Sequence, residues 1–211
     1  MTFACVVYNF LNTWQTLIGS ILAVIAAIVT IWEMRRQSRG DETRHENDLA
    51  RKKMAARSQM PDALSEMTVY VRASAAHLVV GAGKPQPPIA ALNTLKAVIE
   101  HIDTKEAGKT FELVSWYQVQ HARLAGSDHP HDVEVNDLLF DAALLQAQIN
   151  RLFDYARNTK EEPRPEGLTR EDLLGGLKNA LTLQVWAARH GEFGPVEVII
   201  NRRYKPAALT E

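Results

Sequence analysis

The chain is short of cysteine, with one thiol, Cys5, in 211 residues. One thiol forms no intramolecular disulfide, so the fold is not stapled and nothing points to an oxidising compartment. The lipoprotein reading of Cys5 fails because no signal sequence precedes it. A bridge between two chains, or an apolar filler of the tail, remain its readings. Charge is missing too: the first thirty-two residues carry no Asp, Glu, Lys or Arg. A cleaved signal peptide needs a basic leading region and a shorter apolar stretch, and this opening has neither.

What fills the uncharged opening is an apolar run bracketed by Trp14 and Trp32. As a helix it measures roughly 28 Å, close to the hydrocarbon thickness of a bilayer. Trp14 and Trp32 stand where an interfacial aromatic belt would place them, and Arg35, Arg36 and Arg39 follow at once. The expectation is a transmembrane helix over 13–32, with a short extracytoplasmic tail over 1–12. Because the basic residues lie on the C-terminal side, that side is expected in the cytoplasm. Gly19, Ala23 and Ala27 recur every four residues on one face, with Thr16, Ser20 and Thr30 beside them. Small residues let helices approach closely in lipid, so this face is the candidate for a homodimer through the membrane helix.

Between Glu33 and Arg57, eight Lys/Arg against five acids give a net of +3, and the remainder holds sixteen bases and twenty acids, a net of −4. A basic collar suits an anionic leaflet, whereas the acidic remainder offers no nucleic-acid footprint. Residues 33–58 read as a charged helical stalk with almost no apolar stripe, and not as a coiled coil.

Residues 59–211 read as an α-helical domain. After Pro61, a good first-turn residue, Leu64, Met67, Val71, Ala75 and Leu78 share a face until Gly81-Ala82-Gly83. A second helix carries Leu92, Leu95, Val98, Ile99 and Ile102. A third starts near Lys109 with Phe111, Val114, Tyr117, His121 and Leu124 inward, and Gly126 closes it. The fourth runs from Val135 to Ala156. Thr169 with Asp172 resembles a capping box, and opens a helix through Leu173, Leu177, Leu181, Val185 and Ala188 to His190-Gly191. The segment 195–204 suits a short helix or a strand. The fold class is therefore all-α: one N-terminal transmembrane helix, a charged helical stalk, and an antiparallel bundle of about five helices.

Chemistry-bearing motifs are few. Gly81-Ala82-Gly83-Lys84 lacks the third glycine and the following helix of a dinucleotide turn, since Gln86 and Pro85 and Pro87 stand there. The loop Asp128-His129-Pro130-His131-Asp132, with His121, could gather a divalent metal, so His121, His129 and His131 are the candidate ligands. A surface loop is the plainer reading. Glu100, His101 and Asp103 point apart on a helix, His77 and His190 stand alone, and no serine or cysteine has a base and orienter at recognisable spacing. Trp116, Tyr117 and Trp186 read as packing aromatics. No catalytic residue and no cofactor are assigned.

Trp14-Gln15-Thr16-Leu17-Ile18-Gly19, Arg51-Lys52-Lys53-Met54-Ala55-Ala56-Arg57 and Met60-Pro61-Asp62-Ala63-Leu64 with Tyr70 carry a resemblance. The layout resembles uncharacterised bacterial single-pass inner-membrane proteins with a helical cytoplasmic domain, over mainly the first eighty residues. That resemblance implies a bacterial inner membrane and brings no activity. Together these features lead to a non-enzymatic scaffold or regulatory module, with the bilayer and a cytoplasmic protein as partners. The alternatives are a membrane-tethered enzyme or ligand and metal sensor, and a phage-type membrane-active element.

Overall fold

The computed structural model describes residues 3–126, 132–157, 167–182, 185–186 and 190–204. The described residues are helical with short connections and no strand: α1 Phe3–Val80, α2 Ile89–Val98, α3 Thr104–Gly126, α4 Asp132–Ala156, α5 Arg170–Leu181, a 3-10 turn His190–Phe193, and α6 Gly194–Arg203. The chain divides into two compact units, Met1–Arg51 and Lys52–Glu211.

In the first unit every described side chain is exposed, from Ile21, Leu22, Val24 and Ile25 to Ile28, Val29, Ile31 and Trp32. Among the described residues, no helix is long and apolar enough to cross a membrane. The side chains of Thr16 and Ile18 fall outside the description.

The second unit is a helical bundle. Its C-terminal part of α1 contributes Ala56, Met60, Ala63, Leu64, Met67, Tyr70, Val71 and Ala75 to one core, at the i, i+3, i+4 spacing of a buried face. Cross-contacts give the directions. Arg57 reaches Tyr155 and Thr68 reaches Gln146, so α1 and α4 run antiparallel. Lys53 meets Asp103 and Tyr70 meets Gln120, so α1 and α3 run parallel. The central element is α4, buried at every residue from Leu138 to Ile149. It packs against α3, α5 and α6. α5 comes closest: a Cβ built on Gly176 would lie 2.4 Å from the Ala143 carbonyl oxygen and 3.1 Å from the Ala147 Cβ.

Several boundaries differ from the sequence pattern. Pro61 lies inside α1 and not at a helix start. A proline there removes one helical hydrogen bond, at a cost of about 3 kcal/mol, which burial of Met60, Ala63 and Leu64 around it offsets. The two compact units divide at Arg51/Lys52, and Lys53, Ala56 and Arg57 engage the bundle. α2 stops at Val98, α3 begins at Thr104, and Phe111 is 64% exposed while Thr110, Leu113 and Val114 take the inward positions. α5 ends at Leu181, where Thr182 adopts φ 62°. A β-branched residue is strained at positive φ, and the apolar periodicity of residues 173–188 gave no sign of this break. The segment 194–203 is a helix, with Val196 and Ile200 inward.

Two helix ends follow the sequence closely. α1 stops before Gly81, whose φ of +69° places it in the left-handed conformation that suits glycine. At α5 the capping box is complete: the Asp172 N–H donates to Thr169 Oγ1 (3.1 Å) and the Thr169 N–H donates to Asp172 Oδ2 (2.9 Å). Thr169→Ala is expected to cost about 1 kcal/mol. Equilibrium urea unfolding followed by circular dichroism measures it, and a change within about 0.2 kcal/mol would remove the cap from the account.

Candidate functional site

The residues singled out in the sequence fall in both units. Trp14, Trp32, Arg35 and Arg36 are exposed on the first part of α1, as are Gly19, Ala23 and Ala27. The Arg39 and Thr16 side chains lie outside the described residues, and so do His129, His131 and the side chain of Asp132. The Arg36 guanidinium lies 5.9 Å from the centroid of the Trp32 ring, one turn back toward the apolar stretch. Thr30 Oγ1 donates to the Ala26 carbonyl oxygen (2.8 Å), so its hydroxyl is satisfied within its own helix. No neighbouring atom lies within 4 Å of a Cβ built at Gly19.

His121 does not stand alone. It belongs to a cluster with Tyr70 of α1 and Tyr117 and Gln120 of α3. The Tyr70 hydroxyl donates to Gln120 Oε1 (2.9 Å), and His121 Nδ1 is 3.1 Å from the same hydroxyl oxygen. A hydroxyl has one proton, so with that proton given to Gln120 the imidazole must donate from Nδ1. The Tyr117 and His121 rings stack at 5.5 Å, and Tyr70 meets Tyr117 edge-on at 5.0 Å. Burial pushes the Tyr70 pKa up to about 12, and it also raises that of Tyr117. Both phenols therefore remain neutral donors near neutral pH and supply no base. Gln120 is buried, and its Nε2 has no partner in the structure. Among the described residues no three metal-ligating side chains converge.

A second polar cluster joins α1 to α4 and to the corner before α3. Lys53 Nζ donates to Asp103 Oδ1 (2.6 Å), and the Tyr155 hydroxyl donates to Asp103 Oδ2 (3.0 Å). The hydrogen bond from Lys53 is the main reason the Asp103 carboxyl titrates below its ordinary range, with that from Tyr155 adding to it. Arg57 donates to the Tyr155 carbonyl oxygen, and its guanidinium sits 4.3 Å over the Tyr155 ring.

A third cluster gathers around the buried carboxylate of Asp141. Asp141 on α4 accepts from Arg123 on α3, with Arg203 of α6 nearby, 3.6 Å from Asp137 and 4.5 Å over the Phe140 ring. Burial raises the Asp141 pKa, and the Arg123 charge opposes that shift. Trp186 is buried and stacks on Phe193 at 5.6 Å, and Tyr117 is buried too, in line with packing roles, whereas Trp116 is 40% exposed.

Among the buried side-chain polar atoms of the three clusters, Gln120 Nε2 alone is without a partner among the described residues, and each cluster holds helices together. None sets a nucleophile beside a base and an orienter. The sequence missed Tyr70 as the partner of His121, and Lys53 as that of Asp103, because each pair is separated by about fifty residues. No local spacing announces such contacts. No family, curated protein or solved structure matches this chain.

Proposed function

We propose that this chain is a membrane-anchored, non-enzymatic interaction module. Residues 13–32 insert into a bacterial inner membrane with the N-terminal tail outside. The helical domain is held on the cytoplasmic side to bind or position a protein partner. The observation that carries the reading is the apolar helix surface from Ile21 to Trp32, exposed at every residue. Leaving so many Ile, Val and Leu side chains in water costs about 1.5–3 kcal/mol each, which a bilayer relieves without any protein partner. The two tryptophans and the arginines after Trp32 supply the interfacial ends. The polar clusters support an interaction role because their groups are engaged in bracing the bundle. A membrane helix dimer along Gly19, Ala23 and Ala27 belongs to the same proposal.

The experiment is expression of the full chain in bacteria followed by alkaline carbonate extraction of the membranes. The chain is expected to remain in the membrane pellet. Ile25→Arg, which puts a charge near the centre of the stretch at a cost of about 3 kcal/mol, is expected to shift it toward the extract. Quantitative extraction of the unaltered chain would end the anchor reading. Cys5, the one thiol, reports direction. A membrane-impermeant maleimide is expected to label it in spheroplasts under reducing conditions, and labelling only after lysis would reverse the orientation.

A further inference from the structure

The two arginines directly after the apolar stretch differ from Arg44, further along the helix, in how their charge is met. Arg44 pairs with Asp41 at 3.8 Å. Arg35 and Arg36 are exposed, and among the described residues neither is paired with a carboxylate. Glu33, the nearest acid in sequence, is likewise in no ion pair among the described residues. Arg36 leans back over Trp32, within 5.9 Å of its ring centroid, so its guanidinium is held at the level of the interfacial indole. Guanidinium is planar and presents a fork of N–H donors that matches a phosphate oxygen pair.

We infer that Arg35 and Arg36, with Trp32, form a site for the phosphate headgroup of an anionic phospholipid. The inference rests on the membrane reading given above and sharpens it by naming the lipid class. The charge complementarity is local: two cations with no carboxylate ion pair among the described residues stand where an anionic leaflet would begin. Trp32 supplies the aromatic face near which the Arg36 guanidinium sits, and the lipid phosphodiester supplies the acceptors. Attraction of this kind is screened by salt, so the site is expected to weaken as ionic strength rises.

The test uses the full chain reconstituted into phosphatidylcholine vesicles holding a minority of either brominated phosphatidylglycerol or brominated phosphatidylcholine. Bromine quenches nearby indole fluorescence. In a background carrying Trp14→Phe and Trp116→Phe, the remaining tryptophans are Trp32 and the buried Trp186, so quenching reports Trp32. The brominated anionic lipid is expected to be enriched around Trp32 on the order of fivefold over the zwitterionic one, and the Arg35→Gln/Arg36→Gln pair is expected to abolish the difference. Equal quenching by both lipids in the arginine-bearing chain overturns the lipid site and leaves the anchor standing. A difference that survives the double substitution overturns the assignment to these arginines. Absence of quenching by either lipid overturns the anchor, and the lipid site with it.

Discussion

Replacing Gly176 by alanine is expected to destabilise the helical domain by about 3 kcal/mol, an effect at the upper end for adding one methyl group. The Cβ would sit 2.4 Å from the Ala143 carbonyl oxygen and 3.0 Å from the Ala147 amide nitrogen. Those are backbone atoms of the central helix, so no rotamer change relieves the overlap, and α5 must move away from α4. That movement opens the layer in which Leu173 and Leu177 are fully buried. The neighbouring Gly175 provides the control, since a Cβ there meets nothing within 4 Å. Gly175→Ala is expected to be neutral or to stabilise by about 0.5–1 kcal/mol, through helix propensity alone. Thermal unfolding by circular dichroism separates the two: a loss of roughly 6–12 °C is expected for Gly176→Ala and none for Gly175→Ala. Equal behaviour of the two variants would show that α5 does not approach α4 at Gly176.

The second large effect is expected at the Arg123–Asp141 pair, in which the carboxylate is buried and the guanidinium is half-exposed. Arg123→Ala removes the cation that faces Asp141 and leaves a carboxylate inside the bundle, at a cost of about 2–4 kcal/mol at neutral pH. The pH dependence carries the signature. The Asp141 pKa is raised above its unfolded value, with burial as the largest cause. The native state therefore holds this proton more tightly than the unfolded chain does. The stability it contributes is fully present below the unfolded pKa and is lost as pH rises through the folded one. Without Arg123 the folded pKa rises further, so the variant is expected to recover stability on acidification over a wider range than the parent. Asp141→Asn in the Arg123→Ala background is expected to remove that recovery. Urea unfolding at a series of pH values measures each step, and a destabilisation independent of pH would show that Arg123 acts through packing alone.

Both effects were illegible in the sequence. Gly176 is one of two adjacent glycines with the same local surroundings, and only the position of α4 distinguishes them. Arg123 and Asp141 sit on different helices whose rotations are fixed by packing. The pairing of Tyr70 with Gln120 and His121 is of the same kind. His121 was legible as an inward position of α3, but the hydroxyl that claims its Nδ1 comes from another helix. Phe111 shows the converse error. It is one residue from the inward-facing Thr110, and a helix advances about 100° per residue, so a one-position slip puts it on the surface.

By itself the sequence determined the all-α class, the apolar stretch between Trp14 and Trp32, the stop at Gly81, the capping box at Thr169 and the core stripe of α4. These depend on interactions within about four residues, which periodicity and end chemistry encode directly. Only the tertiary structure decided that Pro61 lies within α1, that the bundle begins at Lys52, that α5 breaks at Thr182, and which polar groups meet. Those outcomes weigh a local cost against burial contributed by distant residues. A helix can carry a proline or end on a strained threonine when the packing it preserves is worth more than the few kcal/mol lost locally.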